Sequence, residues 1–316
     1  MTTKFLSIVI PIFDESKNIE PLYKELVLLE KKLHLNLQFI FINDWSTDDS
    51  KNRIINLQKN DKRIKIIEFT KNYGQTAAFD AGIKNADGQI IVTIDGDLQN
   101  DPSDIPLLLE KLESGFDVVA GWRRERRDPF SKRFFSFWAN ILRQKLTGET
   151  IHDSGCSLRV YRKEVFEGVD LYGEMHRFIP AILSLYGYKI GEVVVKHRPR
   201  TQGKSKYSST RLFKGLLDLL FIVFMLRFAS RPLHVFGIFG GLTLMIGLLI
   251  NIYLASIKIF YGAQLSNRPL LILGVLMMVI GTQFFIFGLL AELLVRIYFK
   301  THRLSPYTIR KSNVWF

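Results

Sequence analysis

Two long segments near the C-terminus contain no Asp, Glu, Lys or Arg. They run from Leu233 to Ile257 and from Pro269 to Ala291, 25 and 23 residues. Each is longer than the roughly 20 residues that an α-helix needs to cross a bilayer. Helices that are apolar on every side occur in membranes or in the cores of large proteins. The sequence therefore predicts two transmembrane helices (about 233–257 and 269–291), and two buried core helices are the alternative.

Positive charges outside these segments predict their orientation. The connection between them carries two, Lys258 and Arg268. The outer flanks carry nine, at Arg211, Lys214, Arg227, Arg231, Arg296, Lys300, Arg303, Arg310 and Lys311. Because cytoplasmic flanks are rich in Lys and Arg, both termini and the large N-terminal part are predicted to face the cytoplasm. The single cysteine, Cys156, agrees with a reducing compartment.

The first 200 or so residues alternate between short β-rich runs and polar stretches of helical period. The predicted strands are 5–13, 37–44, 64–69, 89–95 and 117–122, and the predicted helices are 18–33, 47–59, 75–85 and 103–113. Such alternation predicts an α/β fold, a parallel sheet covered by helices. Ligands bind such sheets at the carboxyl ends of the strands. We therefore expect the acids that follow predicted strands to meet at one edge: Asp14, Glu15, Asp44 and the cluster from Asp95 to Asp101.

Two further segments combine bulky apolar residues with Lys and Arg. They are residues 131–146 and 209–228, and this composition is typical of helices that lie in the membrane interface. The alternatives are a buried amphipathic helix for the first and a third span for the second. We predict a cytoplasmic domain (1–208), an interfacial helix (209–230), two transmembrane helices (231–299) and a basic cytoplasmic tail (300–316).

The most informative acids are Asp95 and Asp97, at the end of the run IIVTIDGD. Residues two apart in an extended chain point to the same side, so both carboxylates can share one divalent cation. Mg²⁺ and Mn²⁺ prefer such oxygen ligands. The turn after the first strand, PIFDES, has neither the glycines of a dinucleotide-binding fold nor the lysine of a P-loop. A diphosphate would therefore be held through the cation, while Asp101, before Pro102, is typical of a helix cap.

Several motifs occur in a fixed order: IVIPIFDE, FINDWSTDDS, TKNYGQTAAFDAGIKNADGQIIVTIDGDLQNDP and DSGCSLRVYR, followed by the two apolar segments. Together they resemble the family-2 glycosyltransferases that move a sugar from a nucleotide onto polyprenyl phosphate, such as dolichol-phosphate mannose synthases and bacterial undecaprenyl-phosphate transferases. The resemblance covers essentially the whole chain and is strongest to the glucosyl-transferring branch. It implies a GT-A fold, a Rossmann-like nucleotide-sugar domain, in an integral protein of the plasma (inner) membrane.

The resemblance also implies a nucleoside pocket. Pro11, Phe13 and Glu15 would line it, and Asp44 would hydrogen-bond the base. The family usually has Asp-Gly-Ser after the second strand, and Trp45 replaces that glycine in this chain. The indole must then point away from the nucleotide or stack on it.

A second set of residues would surround the reacting groups. By the same resemblance, Asp95 would lie beside the ribose and diphosphate and share the ion, and Asp97 and Gln99 would bind the metal. Asp153, in HDSGC, matches the aspartate that serves as a base in relatives that glycosylate alcohols. A phosphate acceptor is already an anion at neutral pH, so we expect Asp153 to orient a substrate, with base catalysis as the alternative.

The segment HRPRTQGKSKYSST resembles the family's basic loop, Arg-x-x-Gly-x-Ser-Lys. Arg200, Gly203, Ser205 and Lys206 match it. Guanidinium and ammonium groups are suited to binding a lipid phosphate and neutralising a departing diphosphate. Arg123 belongs to a second basic cluster that could bind the same phosphate. An ordinary juxtamembrane stretch that attracts anionic lipid is the alternative.

These observations predict a hexosyltransferase that moves a sugar from a nucleotide sugar to polyprenyl phosphate in membrane lipid. The predicted transfer is metal-dependent and inverting, and UDP-glucose is the first choice of donor. The enzyme could be a homo-oligomer. A GDP-mannose-dependent mannosyltransferase and a non-catalytic membrane-anchored nucleotide-sugar-binding protein are the alternatives. A processive polysaccharide synthase would carry a Gln-x-x-Arg-Trp motif, which this sequence lacks. The net charge of +13 fits anionic partners. Much of the excess lies near the membrane segments, so no nucleic acid is expected.

Overall fold

The structure is a computed structural model that describes residues 5–33, 35–124, 151–171, 173–199, 232–262, 264 and 269–301. The chain forms two compact units, Met1–Leu219 and Leu220–Phe316. The two predicted interfacial segments, 131–146 and 209–228, and the tail after Thr301 lie outside the described residues.

A seven-stranded sheet is the centre of the described part of the first unit. Its strands are β1 (Phe5–Ile12), β2 (Asn36–Asn43), β3 (Ile64–Glu68), β4 (Ile90–Thr93), β5 (Val118–Trp122), β6 (Arg159–Arg162) and β7 (Ile190–Val194). Their order is β3-β2-β1-β4-β6-β5-β7. The α/β class is confirmed, but the prediction of a wholly parallel sheet was wrong at β6. This strand runs antiparallel to both neighbours, β4 and β5.

Helices cover both faces of this sheet, which explains why the central strands are apolar on both sides. They include α1 (Ser16–Leu33), α2 (Ser50–Asn60), α3 (Gln75–Lys84), α4 (Ile105–Glu113) and a further helix at Ile179–Leu185. In α1, residues Ile19, Leu22, Leu26 and Leu29 recur at helical spacing and are buried in the core. On the opposite face, α3 approaches β1 so closely that a Cβ on Gly82 would overlap Val9.

The starts of two helices test the sequence-based boundaries. The helix predicted over 47–59 begins at Ser50, because the backbone N of Thr47 donates to Asp14 Oδ1 at 2.7 Å in the loop after β1. The cap predicted at Asp101 is confirmed. Its Oδ1 accepts from the backbone N of Ser103 at 2.9 Å, at the start of a 3-10 turn that leads into α4.

The described part of the second unit consists of two apolar helices, Pro232–Tyr261 and Pro269–Thr301. Both are long and apolar enough to cross a membrane, with mean hydropathy of 2.2 and 2.5 in their most apolar windows. Only 11% of each window is buried. The core helices of a soluble protein would be mostly buried, so the structure favours the transmembrane interpretation over the alternative of core helices.

Candidate functional site

The acid pair, Asp95 and Asp97, lies on the loop that follows β4. Gly96 between the two acids packs against the end of β1. A Cβ on Gly96 would lie 2.5 Å from Ile12 Cδ1 and 3.1 Å from the carbonyl oxygen of Pro11. The acid loop, residues 95–101, therefore approaches the end of β1 closely, and a larger residue at this position would have to displace its neighbours.

Asp95 interacts with the side chains of Gln75 and Ser157 and is surrounded by opposing charges. Its Oδ1 accepts from Gln75 Nε2 at 2.6 Å. Burial raises the pKa of Asp95, and the adjacent charge of Asp97 raises it further. The guanidinium groups of Arg123 and Arg159 act in the opposite direction. The carboxylate therefore lies where one additional positive charge would stabilise its ionised form.

The acid pair fits a divalent cation that arrives with a substrate. Asp97 Oδ1 accepts from the backbone N of Gln99 at 3.1 Å, which folds the loop back on itself. Among the residues that the structure describes, no group of three His, Cys, Asp or Glu side chains could hold a metal ion. Mg²⁺ is commonly bound by only one or two carboxylates together with substrate phosphates and water. Two carboxylates and a nearby amide match that pattern.

A short segment links the acid pair to Asp44. Asp44 is buried at the end of β2, where its Oδ1 accepts from the backbone N of Tyr73 at 2.7 Å and its Oδ2 from that of Gly74 at 2.9 Å. The next residue, Gln75, is the donor to Asp95. Residues 73–75 therefore connect both acids at the same edge. Sequence reasoning missed Gln75, although its position at the start of α3, just after β3, was an available signal.

The other predicted nucleoside-pocket residues also lie at this edge. Pro11, Phe13 and Glu15 are at or just after the end of β1, and all three are partly buried. Glu15 Oε2 accepts from Asn18 Nδ2 at 2.6 Å. Trp45 follows Asp44 and is 51% exposed. The sheet thus brings together side chains that are separated by more than 30 residues in the sequence.

A buried ion pair joins Arg123, which follows β5, to Asp153, which precedes β6. Arg123 donates from Nε to Asp153 Oδ2 at 2.7 Å and from a terminal nitrogen to Oδ1 at 3.0 Å. The backbone N of Gly155 also donates to Asp153 Oδ1 at 3.1 Å. Glu192 Oε1 accepts from the backbone N of His152 and of Asp153, at 3.0 and 3.1 Å. Both carboxylate oxygens of Asp153 therefore accept hydrogen bonds from within the described structure.

Arg159 is a site residue that sequence reasoning missed. It is buried at the start of β6 and donates to the carbonyl oxygens of His176 and Ser154, at 2.7 and 2.5 Å. Since β6 is antiparallel, its start lies at the same edge as the ends of β4 and β5. An arginine within the apolar run LRVY was the available signal, because a buried charge needs partners.

Arg198 contacts the acid loop, residues 95–101 after β4. In the sequence, Arg198 comes just before the predicted basic loop. Its backbone N donates to the carbonyl oxygen of Gln99 at 2.9 Å, and its guanidinium lies 2.9 Å from Asp101 Oδ1. The predicted lipid-phosphate residues Arg200, Ser205 and Lys206 lie outside the described residues. The first of them follows Arg198 by two residues.

Comparisons with known proteins agree with this architecture. The model of the glycosyl transferase family 2 matches residues 7–169. Dodecaprenyl-phosphate galacturonate synthase of Rhizobium johnstonii is 38% identical over 314 residues, 97% of this chain and 92% of that protein. Undecaprenyl-phosphate 4-deoxy-4-formamido-L-arabinose transferase of Proteus mirabilis is 32% identical over 310 residues, 97% of this chain and 93% of that protein.

A solved structure supports the fold. Glucosyl-3-phosphoglycerate synthase from Mycobacterium tuberculosis, in complex with Mn²⁺, UDP and glucosyl-3-phosphoglycerate, has a TM-score of 0.55 at 17% identity. The likeness covers 70% of this chain and 80% of that one. With its mixed sheet of GT-A type, the chain belongs to glycosyl transferase family 2.

Proposed function

We propose that this protein transfers a sugar from a nucleotide diphosphate sugar to a polyprenyl phosphate at a membrane surface. The observation that carries the proposal is the acid pair, joined to Asp44 through residues 73–75 at one sheet edge. Relatives named as polyprenyl-phosphate transferases align with 97% of the chain, a span that includes the apolar helices. These helices would keep the site close to a lipid acceptor.

The proposed reaction is an in-line displacement. An oxygen of the lipid phosphate attacks C1 of the sugar, the bond between C1 and the diphosphate oxygen breaks, and its electron pair leaves with the diphosphate. The configuration at C1 inverts. The attacking phosphate is an anion at neutral pH, so a strong base is not required. Asp153, held by Arg123, orients the acceptor or the sugar in this proposal.

The charges around the acid pair have complementary roles. Asp97 and Gln99, with Asp95, would hold Mg²⁺ or Mn²⁺, which supplies positive charge that stabilises the departing diphosphate. The lipid phosphate would be bound by Arg200, Ser205 and Lys206. Arg198 links the chain just before these residues to the acid loop. Arg123 is assigned to Asp153 rather than to the lipid phosphate, because its guanidinium already has a carboxylate partner.

The donor sugar defines the finer part of the proposal. UDP-glucose is the donor that sequence resemblance favours. The relatives that align over the whole chain are named for galacturonate and 4-deoxy-4-formamido-L-arabinose. We therefore place nucleotide donors of these two sugars beside UDP-glucose and GDP-mannose in the same assay, with transfer to polyprenyl phosphate as the common measurement.

The proposed location is the inner membrane, with the catalytic domain and both termini in the cytoplasm. The charge distribution around the two apolar helices supports this orientation. Single cysteines introduced at residue 264 and near the C-terminus, in a Cys156→Ser background, would test it. Labelling of the first from outside intact cells and protection of the second are expected, and the reverse pattern would overturn the topology.

The full-length protein, purified in detergent, tests the activity directly. Polyprenyl phosphate, Mg²⁺ or Mn²⁺ and each radiolabelled donor are supplied, and the lipid product is separated and counted. We expect transfer from one donor, loss of transfer with a chelator, and no turnover by Asp97→Ala. Asp170→Ala is the matched control, because Asp170 is 61% exposed and pairs with a surface lysine. Near-normal activity of a folded Asp97→Ala variant would exclude the metal assignment.

The same assay distinguishes the proposed transferase from the alternative of a non-catalytic binding protein. A membrane-anchored binding protein would bind a nucleotide sugar but form neither lipid product nor free sugar. That result with all four donors would contradict the proposed transfer.

A further inference from the structure

Trp45 has a backbone conformation that is unusual for a large side chain. Its φ is 62°, in the left-handed region that favours glycine. Only two other non-glycine residues in the described chain share a positive φ, Asp14 and Leu98. Strained residues of this kind persist where the surrounding structure imposes the conformation, and they are concentrated at functional sites.

The bonds on both sides of Trp45 impose this conformation. Before it, Asp44 is fixed by the backbone N–H groups of residues 73 and 74. After it, the backbone N of Ser46 donates to Asn43 Oδ1 at 3.2 Å, and Ser46 Oγ accepts from the backbone N of Asp14 at 3.1 Å. The chain is therefore held at both neighbours, and the indole leaves a rigid turn.

A second exposed aromatic residue is bonded to Asp44 through its backbone. Tyr73 is 53% exposed, and its backbone N is 2.7 Å from Asp44 Oδ1. The ring of Phe69 supports the Tyr73 ring edge-on, with centroids 5.4 Å apart, and Lys71 Nζ lies 5.0 Å from its centroid. Two exposed aromatic residues therefore have their backbones fixed next to one buried carboxylate.

The distance to the acid pair indicates which part of a donor would lie here. Asp44 follows β2, the acid pair follows β4, and β1 lies between these strands. Neighbouring strands are about 4.8 Å apart, so the two strand ends are separated by roughly 10 Å. This is the scale of a nucleoside. A donor whose diphosphate lies at the acid pair would extend its base toward Asp44.

We propose that Trp45 and Tyr73 form an aromatic clamp for the nucleobase of the donor. This inference rests on the proposed function, because it places the diphosphate at the acid pair. Planar bases stack on aromatic side chains with little dependence on the identity of the base. The clamp therefore sets affinity for nucleotides as a class, while Asp44 and its neighbours contact the base edge.

Binding measurements on the full-length protein in detergent test the clamp. UDP and GDP are titrated calorimetrically with Mn²⁺ present, and inorganic pyrophosphate serves as a probe without a base. We expect Trp45→Gly and Tyr73→Ala to weaken nucleotide binding about tenfold each, a typical effect of losing one stacking ring. Pyrophosphate binding should be unchanged. Trp45→Phe, which keeps a ring, should retain most of the affinity.

Thermal unfolding provides a second readout for Trp45→Gly. Glycine adopts a positive φ without strain, so the melting temperature should stay the same or rise while affinity falls. Tyr186→Ala is the control, because Tyr186 is 46% exposed and precedes β7 at the opposite edge of the sheet. Equal nucleotide affinity of wild type and Trp45→Gly would overturn the clamp. Absence of UDP and GDP binding by the wild type would instead overturn the proposed function on which the clamp rests.

Discussion

Arg198 and Asp101 form an ion pair, with 2.9 Å between the guanidinium and Asp101 Oδ1. The same arginine pairs with Glu25, and its backbone N is bonded to Gln99. The acid loop, α1 and the segment that leads to Arg200 are therefore joined at one residue. This residue is the described link between the proposed metal-binding and lipid-phosphate-binding residues.

Replacing Arg198 with alanine should weaken the use of the lipid acceptor. The loss of two ion pairs loosens the segment before Arg200, so we expect KM for polyprenyl phosphate to rise about fivefold to tenfold, while KM for the donor changes little. Steady-state kinetics with each substrate varied in turn measure both constants. Arg53→Ala is the control, since Arg53 is equally exposed and also pairs with two acids. Equal changes in both constants would count against a link to the acceptor side.

Breaking the Arg123–Asp153 pair should destabilise the first unit. Both side chains are about nine-tenths buried, so Asp153→Ala leaves an unpaired buried cation. We expect a loss of about 3–5 kcal/mol in the free energy of unfolding. The double variant Asp153→Ala, Arg123→Leu should recover part of it, because it removes both charges. Chemical denaturation in detergent measures these differences, and strictly additive effects would show that the two residues do not interact.

The approach of the two apolar helices should depend on particular glycines. A Cβ on Gly240 would lie 2.7 Å from the carbonyl oxygen of Gly281 and 2.9 Å from the backbone N of Phe285, whereas a Cβ on Gly241 meets nothing within 4 Å. We expect Gly240→Ala to destabilise the helix pair by about 1–3 kcal/mol. Gly241→Ala should be neutral. Spin-label distances between the helices, with thermal stability, compare the two variants, and equal behaviour would contradict this packing.

The stability of the first unit should depend on pH through Asp61. Hydrogen bonds from Arg63 lower the pKa of Asp61 to about 2, against its ordinary value of 3.8, although burial opposes the shift. A carboxylate with a lowered pKa stabilises the fold above the ordinary value and loses that contribution as the pH falls toward 2. Asp61→Asn should therefore have a flatter melting-temperature profile between about pH 4 and 2. Parallel profiles for wild type and variant would rule out this role.

Cys156 should be unreactive in the folded protein. It is the only cysteine in the chain, it is fully buried, and burial raises the pKa of its thiol to about 11. We expect no modification by N-ethylmaleimide at pH 8 under native conditions, and complete modification in denaturant, as measured by mass spectrometry. Rapid labelling of the native protein would show that the core around β5 and β6 opens readily.

The first five strands and four helices could be predicted because each has a strong local pattern. Apolar runs such as LSIVIPI are long enough to distinguish a buried strand from a helix. β6 and β7 were missed because charged residues interrupt their apolar patterns: β6 begins and ends with arginine, and β7 contains Glu192. The antiparallel direction of β6 depends on pairing between segments that are far apart in the sequence, which no local pattern records.

The site was predictable to the extent that it follows the strand ends. Asp44, Asp95 and Asp97 could be predicted to lie at one edge because acids that follow parallel strands converge there. Gln75, Arg159 and Arg198 were not found, because their roles depend on contacts across the fold. The pairing of Arg198 with Glu25, for example, joins residues 173 positions apart.

The two apolar helices approach each other closely at two places, where Gly240 faces Gly281 and Gly247 faces Gly274. Seven residues separate these places on each helix, a rise of about 10 Å. With a single point of close approach, one helix could rotate against the other about that contact. Two points fix both the separation of the helices and their crossing angle. The helical hairpin should therefore tilt in a bilayer as one rigid body. Any thinning of the membrane would then be met by a change in the tilt of the pair and not by separation of its helices.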